Sequence, residues 1–462
     1  MRVFQSGIAL AVTALLAGCG SGSGTPGVPA TSPNSAKENT SSVTFVVSGD
    51  TAGFIVPCGC TTKQFGGLPR RATYLTALGK SADGRVVYVD AGGSVQRGTK
   101  YDAIKMEYIA QGMKRMDVAA LNIGFGEMQL GAKTLGEVAT RAPLFSTNVA
   151  AAGHIQAWPN HLELEMQRAS DGGRPVRLAF VGVCMNAKSS EQFSVTLPHS
   201  ALRNQIPELA KSFDAVILLA YGKEAEVMKL ASDFPELAAV FISSCDQSIA
   251  PRNENGLVVA GAAQKGKFLA RAELSGRRGN WKLAGGEIVE LSESFADDPK
   301  QLDNLAAYKQ RLKTEKLDPQ QTGETPPLLS NLPADYRYAG STTCATCHVQ
   351  DAALHQRSQH AHGLETLRNK DFAFDPFCLK CHTTGYGGPG GFVNAEATPE
   401  LGGIGCENCH GPSAAHAAKP RVKTTWSESK SACLSCHDPE NSPKFEFNAY
   451  WAKITHGQEK VK

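Results

Sequence analysis

From Val43 to residue 297, short unbroken apolar runs alternate with amphipathic stretches. VTFVVSG, RVVYVD, VAALNIG, PLFSTNV, VRLAFVGVC, DAVILLAYG, LAAVFISS and GLVVAGA are too short for helices and predict strands buried on both faces. YDAIKMEYIAQGMKRM and EAEVMKLASDF repeat apolar residues at helical spacing. Apolar strands with helices between them predict an α/β layered sandwich for residues 43–297. ADDPKQLDNLAAYKQRLKTEK then predicts an amphipathic helix, and the proline-rich LDPQQTGETPPLLSNLPADY a connector, together residues 298–335. Between residues 336 and 462 the long apolar runs stop, and mainly short helices and loops are expected.

The chain has 462 residues, enough for two or three domains, and a net charge of +3. That balance implies no strongly charged partner, and no basic stripe suits nucleic acid. The N-terminus is more informative. Arg2 precedes the apolar GIALAVTALLAG, too short for a retained membrane helix, so residues 1–18 read as a signal peptide. The run closes on LAGC, which resembles the lipobox of bacterial lipoproteins and makes Cys19 the lipidated residue. An ordinary cleaved signal with an unrelated cysteine is the plainer alternative. Residues 19–42 are rich in Gly, Ser, Pro and Thr and form a flexible tether. No aspartate follows Cys19, which favours an outer-membrane lipoprotein, facing the periplasm or the surface.

Thirteen cysteines change the picture again. Eight fall in CATCH, CLKCH, CENCH and CLSCH, as Cys344 and Cys347, Cys378 and Cys381, Cys406 and Cys409, and Cys433 and Cys436. C-x-x-C-H is the attachment grammar of c-type haem: two thiols add to the porphyrin vinyls and the next histidine ligates the iron. The motifs therefore predict four covalently attached haem c groups, with His348, His382, His410 and His437 as proximal ligands. Paired cysteines also suit zinc, but zinc does not require a histidine after every pair. No methionine follows Met228, which leaves histidine as the sixth ligand, and His355, His360, His362, His416 and His456 lie in the same region. Four porphyrins would supply apolar volume that the side chains here are too few to provide. GYGGPGG at Gly385 requires a loop with positive φ or close backbone approach, such as to a porphyrin edge.

YAGSTTCATCH, SQHAHGLETL, CLKCHTTGYGGPGGF, GIGCENCHGPSAAH and FNAYWAKITHG resemble the tetrahaem cytochrome c-554 family, from Tyr336 to Gly457. The resemblance implies distal roles for His360, His416 and His456. It also implies one haem without a protein sixth ligand, unless His355 or His362 supplies it.

The order of SGD, GGLPRRATYL, VVYVDAGG, NIGFGEM, FSTNV, LLAYG and VFISSCDQ is similar to the metallophosphatase domain of the 5'-nucleotidase family, where these segments supply metal-site loops. Asp50 matches a ligand of that family, but Ala52, Gly93, Phe125, Gly126, Tyr221, Cys245 and Gln247 stand where it places others. A two-metal centre needs several hard ligands, so hydrolysis is not expected. Cys58, Cys60, Cys184 and Cys245 fall near the strand ends that form the functional edge of such a sheet. Three readings stay open for them: disulfides, a soft-metal or thiolate redox site, or inert buried thiols. A bond between Cys58 and Cys60 would be strained, so pairing with Cys184 or Cys245 is easier.

The reading that follows is an exported, membrane-anchored tetrahaem c-type cytochrome that exchanges electrons with redox partner proteins. The alternative is an oxidoreductase acting on a small nitrogen or sulfur compound at an open haem or at the cysteines. A metal-dependent phosphoesterase comes third.

Overall fold

The apolar runs pair into two six-stranded sheets. In chain order the strands are β1 Ser41–Ser48, β2 Val86–Asp90, β3 Ala120–Asn122, β4 Leu144–Phe145, β5 Val149–Ala151, β6 Leu162–Met166 and β7 Val176–Cys184. They continue with β8 Phe193–Val195, β9 Ala215–Tyr221, β10 Leu237–Ser243, β11 Ile249–Glu254, β12 Leu257–Gly261, β13 Phe268–Arg277 and β14 Asn280–Glu290. The first sheet runs β14-β13-β1-β2-β3-β4, parallel from β1 to β4, with β13 antiparallel to β1. The second runs β11-β12-β10-β9-β7-β6, with four parallel strands between antiparallel edges. β5 and β8 form a small separate ribbon.

This computed structural model describes residues 40–57, 64–81, 85–153, 157–167, 175–325, 332, 335–424 and 429–457. The signal peptide, Cys19 and the tether up to residue 39 lie outside the described residues, as do Cys58 and Cys60. Residues 40–462 form one compact unit. Among the described residues no helix is long and apolar enough to cross a membrane.

Side chains on successive strand positions point to opposite faces, so a strand apolar throughout must be covered twice. Val43, Phe45 and Val47 of β1 meet Ile217, Leu219 and Phe241 of the second sheet in a core between the sheets. Val46 and Tyr88 turn the other way, toward Tyr101, Ile104, Ile109 and Met113 of the Lys100–Arg115 helix. On the far side Val181, Leu218 and Val240 meet Ile206 and Leu209 of the Gln205–Ser212 helix and Val227 of the Glu224–Ala231 helix. The result is a sandwich of helix, sheet, sheet and helix layers, the α/β class that the pattern predicted.

Two segments differ from the reading of the pattern. GGLPRRATYL is not all loop: a helix starts at Leu68 and runs to Ser81. It buries Arg71, whose guanidinium donates to Tyr88 Oη at 3.0 Å and Thr51 Oγ1 at 3.2 Å. The long β13–β14 hairpin closes the edge of the first sheet, although β14 is largely polar because one face meets water. The Pro299–Glu315 helix is capped by Asp298, which accepts from Gln301 N at 2.9 Å. It joins the helical layer, where Gln301 and Asn304 donate to the carbonyls of Gly112 and Tyr108, each at 2.9 Å.

Beyond residue 335 the helices are short, and the buried apolar cluster is Leu364, Leu367, Leu379, Tyr386, Phe392 and Leu401. The stability of the described structure therefore rests on the sandwich. Phe45 and Phe241 meet across it with ring centroids 5.2 Å apart. Phe241→Ala should destabilise the protein by about 3–5 kcal/mol, read as a lower denaturant midpoint with an unchanged slope.

Candidate haem-binding site

Two buried carboxylates, Asp90 and Glu127, lie at the strand ends of the first sheet. Asp90 accepts from Ser48 Oγ at 2.5 Å and from Gly92 N at 2.9 Å. Glu127 accepts from the backbone N–H groups of Ser94, Gly124 and Gly93 at 2.5, 3.2 and 3.3 Å. Both carboxylates are thus used in holding the loops. The space that metal ligands would need is filled by the Tyr221 ring. A Cβ on Gly93 or Gly124 would come within 3.0 or 2.7 Å of that ring. Among the described residues no group of three or more His, Cys, Asp or Glu is arranged to hold a metal ion. The residues do not fit a two-metal centre.

Cys184, the last residue of β7, and Cys245, just after β10, lie on either side of β9, which ends in Tyr221. Both are free. Burial pushes each thiol up to about 12, so each stays protonated at neutral pH. Cys184 Sγ donates to Asn186 Oδ1 at 3.3 Å. The convergence expected with Cys58 and Cys60 falls outside the described residues.

The C-terminal region is built differently. Each C-x-x-C-H motif sits on a helical turn. His348, His410 and His437 donate their N–H to the carbonyls of Cys344, Cys406 and Cys433 at 2.9, 2.9 and 2.8 Å, and Cys378 to His382 lie in the Pro376–His382 helix. A helical turn puts residues i, i+3 and i+4 on one side, so both thiols and the imidazole of a motif face the same way. The motifs also neighbour one another. Cys344 is hydrogen-bonded to Cys406, and Cys381 to Cys436, while Cys409 lies beside Cys433 and Cys436.

Three motif histidines face a second imidazole. His348 faces His416 with ring centroids 6.3 Å apart, His437 faces His360 at 6.1 Å, and His410 faces His456 at 5.7 Å. Two imidazoles on opposite sides of one metal, each with a metal–nitrogen bond of about 2 Å, place their centroids roughly 6 Å apart. One ring in each pair is oriented through Nδ1. His416 donates to Val422 O at 2.7 Å, His456 to Ile454 O at 2.8 Å, and His437 Nδ1 lies 3.0 Å from Ser442 Oγ. Fixing Nδ1 this way leaves Nε2 as the ligating atom. Burial lowers the pKa of His360, His410 and His437, which favours the neutral, ligating form. Apolar side chains beside the motifs face outward, Val349, Leu354, Leu434 and Trp451 among them, as a region that wraps porphyrin requires. The residues fit haem c.

His382 is different. Its Nδ1 donates to Gly363 O at 3.0 Å, yet among the described residues no imidazole faces it. His355 and His362 do not fill that place, for their Nε2 atoms lie on Ile404 O at 2.9 Å and Gln356 O at 3.1 Å. The glycine loop also has a cause other than a porphyrin edge. Gly385 has φ +71°, and a Cβ there would meet the Tyr338 ring at 2.4 Å, while one on Gly391 would meet Gly385 O at 1.8 Å. Pattern reading missed Glu407, within the third motif. Its carboxylate accepts from the N–H groups of Ala339, Gly340 and Ser413 at 2.9, 2.8 and 2.7 Å and ties the first motif to the third.

Residues 343–411 match the family model described as cytochrome c554 and c-prime. Cytochrome c-554 of Nitrosomonas europaea is 33% identical over 97 residues, 18% of this chain and 41% of that protein. The C-terminal region resembles the cytochrome c-554 family. The chain spans less than half the length of this curated relative. The α/β part is similar to a 5'-nucleotidase precursor from Thermus thermophilus, with 19% identity over 59% of each chain and a TM-score of 0.49. It is also similar to the calcineurin-like phosphoesterase YfkN from Bacillus subtilis, with 17% identity over 59% of this chain and 98% of that one and a TM-score of 0.49.

Two outcomes follow. His416→Ala or His456→Ala should each add one high-spin haem to the paramagnetic resonance spectrum while the haem count stays unchanged. In the α/β part, burial pushes the Glu127 carboxyl from its ordinary 4.5 up to about 7, outweighing its N–H donors. The folded protein then holds a proton that the unfolded chain has lost. Glu127's contribution to stability is therefore full below pH 4.5 and falls as pH rises toward about 7. Glu127→Gln should flatten that fall, measured as denaturant midpoints across the same pH range.

Proposed function

We propose that this chain is an exported tetrahaem c-type cytochrome that transfers electrons. The observation that carries the reading is the set of three imidazole pairs at 5.7–6.3 Å, each joining a motif histidine to a distant one. Haem c would be held at Cys344, Cys347 and His348 with His416. The second would be held at Cys406, Cys409 and His410 with His456, and the third at Cys433, Cys436 and His437 with His360. The fourth would be held at Cys378, Cys381 and His382. Haem supplies one-electron redox chemistry when bound. The chain's own part is to orient the imidazoles and to exclude water with the Leu364–Leu401 cluster. The likeness of residues 343–411 to the cytochrome c554 family supports electron exchange with redox partner proteins.

A second reading rests on His382. With His355 and His362 held by backbone carbonyls, that haem keeps an open axial position, the condition for binding a small nitrogen or sulfur compound at iron. The leader and LAGC support lipidation at Cys19 and a place in the cell envelope, on the outer membrane. The α/β part is then a docking unit on a metallophosphatase-like scaffold without its metal ligands.

Pyridine haemochrome assay of the full chain, made in a host that matures c-type cytochromes, should give four haem c per chain. One of them should be high-spin and should bind added imidazole. Cys378→Ala with Cys381→Ala should lower the count to three and remove the high-spin signal. A colourless protein carrying zinc overturns the reading.

A further inference from the structure

The helix that carries the second motif, Pro376–His382, is seated on the α/β domain through a buried set of charges and rings. Asp375 caps this helix by accepting from Phe377 N at 3.0 Å. The same carboxylate accepts from Tyr101 Oη at 2.5 Å and from Tyr308 Oη at 3.4 Å, and all three residues are buried. Phe377, next to Cys378, meets Phe54 of the loop after β1 edge-on, with centroids 5.4 Å apart. Lys380, between the two motif cysteines, reaches Glu324 at 2.7 Å, and Arg97 holds the same carboxylate from the α/β side.

Lys105 is the unusual member. It is only 7% exposed, and among the described residues its ammonium makes no hydrogen bond or ion pair. The Nζ lies 3.9 Å from the Tyr101 ring centroid and 5.8 Å from that of Phe377. Burial lowers its pKa, and the carboxylates of Asp375, Glu324 and Asp102, at longer range, oppose that shift and favour the charged form. A buried charge acts through a low local dielectric and is poorly screened by salt. Another junction, Lys265 and Lys267 on Glu440, is partly exposed, so its charges are more strongly screened.

We propose that the α/β domain sets the reduction potential of the haem held by Cys378, Cys381 and His382, through the Lys105 cation and the Asp375 carboxylate behind its attachment helix. Taking up one electron lowers the charge at the iron by one. A fixed cation nearby favours the reduced state, and a fixed anion favours the oxidised state. Lys105 and Asp375 therefore act in opposite senses on one haem and leave the other three unmoved. They are positioning and tuning residues that do not touch the iron. The proposal rests on the reading that haem is attached at this motif.

The test is a spectroelectrochemical titration of the full-length, haem-loaded protein. The component belonging to this haem is identified by its loss in the Cys378→Ala, Cys381→Ala double variant, whatever its spin state. Lys105→Met should shift that component to lower potential, Asp375→Asn should shift it to higher potential, and Lys105→Arg should leave it near the wild-type value. Asparagine remains a competent helix cap, so D375N tests charge without removing the cap. A merely structural role would move several components together, or move one in the same direction for both variants. Either result, or no shift at all, overturns the proposal while the four-haem reading stands. A haem count of three in the wild-type chain, with none at this motif, overturns both.

Discussion

Pairs of imidazoles facing one another across the width of a metal ion are what the C-terminal region is organised around. His348 with His416, His410 with His456, and His437 with His360 each join segments that share little else. Six buried apolar side chains are a small core for the region beyond residue 335. On the proposed reading, coordination bonds would take over the long-range ties that packing supplies elsewhere. The protein's own contribution is local: a helical turn at each motif and an acceptor at Nδ1 on one ring of each pair. The Glu407 carboxylate adds a brace between the first and third motifs.

So small a core suffices because the region does not stand alone. The sandwich presents Phe54, Tyr101, Lys105 and Arg97 to the second motif, which is seated on them. Tyr221 packs against Gly93 and Gly124, and Asp90 and Glu127 are committed to loop hydrogen bonds. The burial that keeps the Cys184 and Cys245 thiols protonated belongs to the same arrangement.

Much of this was legible in the sequence where one physical rule dominates. Four C-x-x-C-H motifs have fixed spacing because the vinyl groups and the iron have fixed positions, and strands buried on both faces must be apolar throughout. Half-exposed elements were less legible. β14 alternates weakly and reads as polar, and the Leu68–Ser81 helix carries two arginines in its first turn, one of them wholly buried. Distal roles for His360, His416 and His456 came only from resemblance, and neither resemblance nor spacing said which imidazole faces which motif. The seat around Asp375 was not legible at all. Tyr101 and Tyr308 are ordinary core tyrosines in a helical pattern, and only the fold brings them to one carboxylate.

The strand order carries a consequence for how the molecule is made. β1 lies between β2 and β13, so the first sheet cannot close until Gly276 is available to pair. Every strand among the described residues is complete by Glu290, so a chain folding from its N-terminus finishes the sheets before Cys344 of the first motif is made. A finished platform can thus await a tail whose thiols are still open to the maturation machinery, and the cofactor-bearing segment settles last, onto a surface already in its final shape.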